Sequence, residues 1–219
     1  MTPTTADFWS LIHAERVRVA DMLDGLTVRQ WQAGSLCTGW TVEQVAAHLS
    51  AAASTGTWAW IRSIVRAGFN ADRHNARLLA RYLGDTPEQT ARRFRSLVSS
   101  TVAPTKDYAA VLGEVIVHGQ DIAEPLGIDL IPDPAAVHEV AAFFAAKDFA
   151  VNSHRLVNGL TLQATDADFT AGDGPLVQGP LLHLVMAMAG RPHYLTELDG
   201  DGVAELHQRL GSSRGNAPG

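Results

Sequence analysis

Ala109–Ala123, AAVLGEVIVHGQDIA, sets one glutamate and one histidine four residues apart in an apolar run that carries no further charge before Asp121. The run has the length and spacing of a helix, and positions i and i+4 of an α-helix lie one above the other on the same face. Glu114 and His118 therefore project toward a common point. An ionised carboxylate in dry surroundings costs on the order of several kcal/mol unless a partner or a metal neutralises it, so this pair needs an explanation. A second irregularity lies upstream. His48 ends VEQVAAHL, whose helix opens at Thr41 as N-cap with Gln44 at the third helical position, a capping-box pattern. Two imidazoles and a carboxylate supplied by two helices make a three-ligand metal site with one position open to water or substrate.

Working outward from these helices, residues 5–24 read as a first helix, with Phe8, Leu11, Ile12, Val19 and Leu23 at helical spacing and Asp24-Gly25 as its stop. The helix that opens at Thr41 is expected to run to about Ala67 and to carry His48, Trp58 and Trp60. Thr86-Pro87-Glu88-Gln89 announces a third helix, with Thr86 as N-cap and Pro87 at its first position. The fourth, Tyr108 to Leu126, bears Glu114 and His118 and closes at Gly127. A fifth follows Pro134, about 135–150. After Asn152 the texture changes. Leu160 to Ala164 alternates as a strand does, Asp166-Ala167-Asp168 reads as a turn, Pro175 to Gly179 is a second β-like piece, and Pro180 opens an apolar helix. The expectation is a mainly α protein: a helical bundle over residues 1–152, most simply of antiparallel helices, a small α+β C-terminal domain over 153–210, and a disordered tail over 211–219.

Composition excludes several classes. A formal charge of −6 with scattered acidic residues offers no attraction for a phosphate backbone, so no nucleic acid is expected. The apolar stretches are well short of the ~20 residues needed to span a bilayer, so no membrane span is expected. The N-terminus lacks the basic start and apolar block of a secretory signal, which points to a cytoplasmic protein. The single cysteine, Cys37, excludes an internal disulfide. Its setting, SLCTGW, holds no basic residue that would activate a thiol, and it reads as a buried structural cysteine. Nothing in the sequence fixes an oligomeric state.

Each candidate has a plainer reading. Glu and His four apart on a helix are most often a solvated pair worth a few tenths of a kcal/mol, roughly 0.2–0.5. A single histidine on an apolar face is more often satisfied by backbone carbonyls than by a metal. Asp121, on nearly the same face as Glu114, serves as a partner that hydrogen-bonds a ligating imidazole, as a fourth ligand, or as a solvated residue near the helix end. His13, His74, His138, His154 and His207 lie in polar stretches and read as surface residues, and nothing pairs His183 or His193 with a carboxylate at ligand spacing.

Taken together, SLCTGWTVEQVAAHL, FNADRHNARLLAR and GEVIVHGQDIAEPLG resemble the N-terminal domain of the mycothiol-dependent maleylpyruvate isomerase family, one of the DinB-like metal-binding four-helix bundles. LTLQATDADFTAGDGPLVQGPLLHLVMAMAGR and LDGDGVAELHQRL are similar to the small C-terminal domain of the same family. The resemblance implies a zinc ion held by His48, Glu114 and His118, and an active-site arginine from the C-terminal domain, for which Arg191 in the Gly-Arg step is the match. It also implies a low-molecular-weight thiol, mycothiol, and a small electrophilic substrate as partners. Metal coordination makes a thiolate available at neutral pH, and its addition to a cis double bond followed by elimination gives the trans isomer. A substrate with a leaving group would make the same site a detoxifying S-transferase, and a closed four-ligand site would make it a non-catalytic binding protein. Two imidazoles and a carboxylate also accept nickel, cobalt or iron(II).

Overall fold

Threonine caps start most of the N-terminal helices. Thr4 and Asp7 form a capping box for α1 (Thr5–Asp24), Thr27 and Gln30 one for the single turn α2 (Val28–Trp31), and Thr41 and Gln44 one for α3 (Val42–Ser54). In each, the threonine hydroxyl and the third-position side chain satisfy amides that the first turn leaves open. Thr86 caps α4 (Pro87–Arg95), whose first residue is the proline. Next come α5 (Tyr108–Ala123) and a 3₁₀ turn (Glu124–Leu126), closed by Gly127 at φ 63°.

The computed structural model describes residues 3–56, 79, 81–149 and 151–214 and divides the chain into two units, Met1–Pro132 and Asp133–Gly219. Trp58, Trp60, His74 and most of FNADRHNARLLAR lie outside the described residues. The second helix was expected to continue to about Ala67, but α3 ends at Ser54 and Thr55 is extended. Ser50 and Ser54 bond back to the carbonyls of Ala46 and Ser50, and Ser54 Oγ also meets Tyr82 Oη. Such back-bonding followed by Thr-Gly weakens helix continuation.

In the first unit α1 packs on α4 and α5, and α3 packs on the same two, giving a four-helix bundle around Leu23, Trp31, Leu49, Phe94, Val115 and Ile122. The helices are not antiparallel throughout. Phe8 and Trp9 stack near Tyr108, and a Cβ on Gly119 would meet Val19 Cγ2, so α1 and α5 run the same way. Thr90 Oγ1 donates to Glu43, and Ser100 Oγ donates to Ala53 O, so α3 and α4 are also parallel. The pair that carries the cluster, α3 and α5, is antiparallel: Leu36, ahead of α3, donates its N–H to Asp121 O, and His48 further along meets Glu114 one helix turn and more earlier in α5.

The second unit begins earlier than expected, at residue 133 rather than 153. Helix α6 (Pro134–Ala146), read from sequence as part of the bundle, packs instead on α7 (Ser153–Val157) and α8 (Leu181–Met188). Helical spacing says that a face is buried, not against which neighbour. The small sheet has the order β2-β1-β3, from β1 (Thr161–Ala164), β2 (Thr170–Ala171) and β3 (Leu176–Gly179). Leu162 faces Ala171 across the antiparallel pair and Val177 across the parallel one. Gly174, at φ 140°, sits where a Cβ would strike the Gly159 carbonyl. Helix α9 (Val203–Arg214) carries residues 211–214, which were expected in the disordered tail, because Leu206 and Leu210 anchor its preceding turns. Among the described residues, no helix is long and apolar enough to cross a membrane.

Candidate metal centre

Glu114 and His118 occupy one face of α5, and α3 brings His48 opposite them. His48 Nε2 lies 2.6 Å from Glu114 Oε1, and His118 Nε2 lies 3.5 Å from the same oxygen. The three donor atoms all fall within 4.8 Å of one another, a spread that a single divalent ion can bridge. The two imidazole rings meet edge to face with centroids 5.0 Å apart. The Glu114 side chain keeps 29% of its surface, so the cluster is reachable by a small molecule rather than sealed.

Asp121 is fully buried, and its Oδ2 lies 2.9 Å from His118 Nδ1. This contact fixes a hydrogen on Nδ1 and turns Nε2 toward Glu114, the arrangement in which an outer carboxylate orients a ligating histidine. Asp121 therefore works on the edge of His118 that faces away from the cluster and is not a fourth donor to it. Cys37 joins the same edge: its thiol donates to Asp121 Oδ2 at 3.1 Å and lies 3.4 Å from His118 Nδ1. Trp40 lies against His48, with ring centroids 5.3 Å apart, and among the described residues the buried His48 Nδ1 has no hydrogen-bond partner.

The electrostatics are those of a coupled pair. Burial pushes the Glu114 carboxyl up, but His118 and then His48 outweigh it and hold it well below the usual range. Burial pushes the His118 imidazolium down, yet Glu114, the Asp121 hydrogen bond and Cys37 together raise it well above its usual value. Without metal, His118 is thus a cation held between two carboxylates. A divalent ion would take the place of its Nε2 proton. Two imidazole nitrogens and one carboxylate oxygen suit zinc and its first-row neighbours and leave one coordination position open.

Residues 12–76 match the model of the mycothiol maleylpyruvate isomerase N-terminal domain. Over that stretch the chain is similar to that family. Two solved structures share the fold. A histidine-to-alanine mutant of a mycothiol-dependent maleylpyruvate isomerase aligns with a TM-score of 0.65 at 15% identity, over 92% of this chain and 96% of that one. The unmutated enzyme aligns with a TM-score of 0.63 at 16% identity over the same shares. No curated protein sequence matches the chain.

The structure brings together His48, Glu114, His118 and Asp121. Arg191 lies in the second unit, just after Gly190 at φ 87°, and its Nη1 donates to Ala189 O. Of the histidines read as surface residues, His138 and His207 are exposed, whereas His13 reaches Ser100 O at 3.2 Å and His154 reaches Ala145 O at 2.7 Å. The rings of His183 and His193 both flank Tyr194. Cys37 is the residue that the sequence reading set aside. Its neighbours there show no cation, because the imidazole it meets lies 81 positions away.

Proposed function

We propose that this chain is a metal-dependent, thiol-using enzyme of the maleylpyruvate isomerase type, acting on a small cis-unsaturated acid with mycothiol as the thiol. The observation that carries the reading is the convergence of His48 Nε2, Glu114 Oε1 and His118 Nε2, with Asp121 fixing the tautomer of His118. In this reading those three residues hold the metal, zinc by preference. Metal and thiol together supply, when bound, a thiolate at neutral pH whose reversible addition frees the substrate's double bond to rotate. The chain's own part is positional and electrostatic. Glu114 would supply the negative charge, and His48 and His118 the neutral nitrogen donors, that hold the metal. Trp40 walls the His48 side with an apolar ring. Arg191 would bind a substrate carboxylate or the negative charge that develops as the thiolate adds.

A closed, purely structural metal site would need a fourth protein donor. The disposition of Asp121 on the outer edge of His118 speaks against that alternative. Metal content, measured by elemental mass spectrometry on protein purified without an affinity tag, tests the reading. About one divalent ion per chain, lost in His48→Ala, is expected. Thiol-dependent isomerisation of maleylpyruvate should then be lost in the same variant. A chain that neither carries nor takes up zinc would end the proposal.

A further inference from the structure

The loop between α2 and α3 is tied more closely to α5 than a connector needs to be. Ser35 Oγ accepts from Cys37 N–H and donates to Trp40 O, and Trp40 N–H closes a tight turn onto Cys37 O. Gly39, at φ 78°, occupies the third position of that turn, where a left-handed conformation is required. An isolated bridge joins Gly34 to Thr41, and Leu36 N–H donates to Asp121 O. The turn therefore has a fixed place on the end of α5. One of its ends lays Trp40 beside His48, and the other directs the Cys37 thiol at the carboxylate behind His118.

We infer that Cys37 is a positioning residue of the metal centre: its S–H, donated to Asp121 Oδ2, completes a Cys37–Asp121–His118 chain that holds His118 Nε2 on the metal. The inference rests on the metal reading above and extends it to a residue outside the ligand set. Asp121 is wholly buried, and a single oxygen, Oδ2, receives both the thiol and the imidazole N–H. A buried carboxylate keeps its orientation through the donors that surround it. Removing the thiol takes away a donor on the very oxygen that holds the imidazole N–H, and so weakens the hold on the orientation of both groups. Cys37 also lies on the far edge of the His118 ring from His48 and Glu114, so it acts through Asp121 and not as a ligand to the same ion.

Cobalt(II) provides the test, because its visible absorption reports ligand geometry independently of turnover. The dissociation constant of the ion, measured by chelator competition, and the cobalt spectrum are compared for the unsubstituted protein, Cys37→Ser and Cys37→Ala. Cys37→Val, which keeps the volume without the donor, stands in if truncation unfolds the chain. Loss of an outer partner of a ligating histidine typically weakens metal binding by about 10–100-fold. Cys37→Ala or Cys37→Val is expected to fall in that range with a changed spectrum, while Cys37→Ser, whose hydroxyl can still donate, stays within about threefold of the parent. Parent-like affinity in Cys37→Ala, or an equal loss in Cys37→Ser and Cys37→Ala, overturns the inference and leaves the metal site standing. Failure of the unsubstituted protein to take up cobalt defeats the metal reading and this inference with it.

Discussion

At the scale of single residues, the chemistry turns on one proton. His118 is raised and Glu114 lowered, each chiefly by the other once burial has been overcome. In the proposed reading, metal uptake displaces the Nε2 proton of His118. Affinity should therefore climb by about tenfold per pH unit while His118 stays protonated in the metal-free protein, with one proton released per ion, measurable by calorimetry in buffers of different ionisation heat. The metal-free protein carries a matching signature. Glu114, with its lowered pKa, contributes stability that is present above its unfolded value of about 4.3 and is lost as pH falls through the folded one. His118, with its raised pKa, contributes stability that is present below about 6.5 and is lost as pH rises through its folded value. Metal-free thermal midpoints should thus decline at both ends of the pH range, and Glu114→Gln should flatten both declines, which scanning calorimetry would record. An unchanged profile in that variant would mean that the pair does not stabilise the fold. The Glu114–His118 pair and His48 could be read from sequence because spacing and hydropathy are local properties. The Cys37 contact could not, because it depends on where a loop lands.

At the scale of elements, the site depends on how closely α5 can approach its neighbours. A Cβ on Gly119 would lie 2.9 Å from Leu130 Cδ2 and 3.0 Å from Val19 Cγ2, so α1 approaches α5 closely at the glycine beside His118. Leu130 has a long side chain that can turn aside. Val19 is β-branched and stiff, and cannot. Gly119→Val should therefore destabilise the protein by about 1–3 kcal/mol by overpacking, although valine is the better helix former. Chemical denaturation would measure the loss, and a stability equal to or above that of the parent would show that α1 can move away. Caps and helix starts were legible in the sequence to within a residue at Thr41 and Thr86, because the capping side chains lie within one turn of the amides they satisfy. The end of α3 and the parallel pairing of α1 with α5 were not. Both depend on partners distant in the chain.

At the scale of the whole molecule, the proposed reading draws on residues of both units. The described partners of His118, namely Cys37, His48, Glu114 and Asp121, belong to Met1–Pro132, whereas Arg191 belongs to Asp133–Gly219. Arg191→Ala should leave metal content unchanged and lower turnover by on the order of 100-fold, with partial recovery in Arg191→Lys, since charge stabilisation is the role assigned to it. A parallel loss of metal, or full activity, would remove Arg191 from the site. The sequence by itself determined the helical class, the caps, the small β-containing C-terminal part and the placing of Glu114 and His118 on one helix face, because each is written in periodicity or in spacing within one element. Only the tertiary structure decided that α6 serves the second unit, that α1 and α5 run side by side, and that Cys37 stands behind Asp121. Burial patterns state how much surface an element must hide, but the choice of partner is made by packing among segments far apart in the chain.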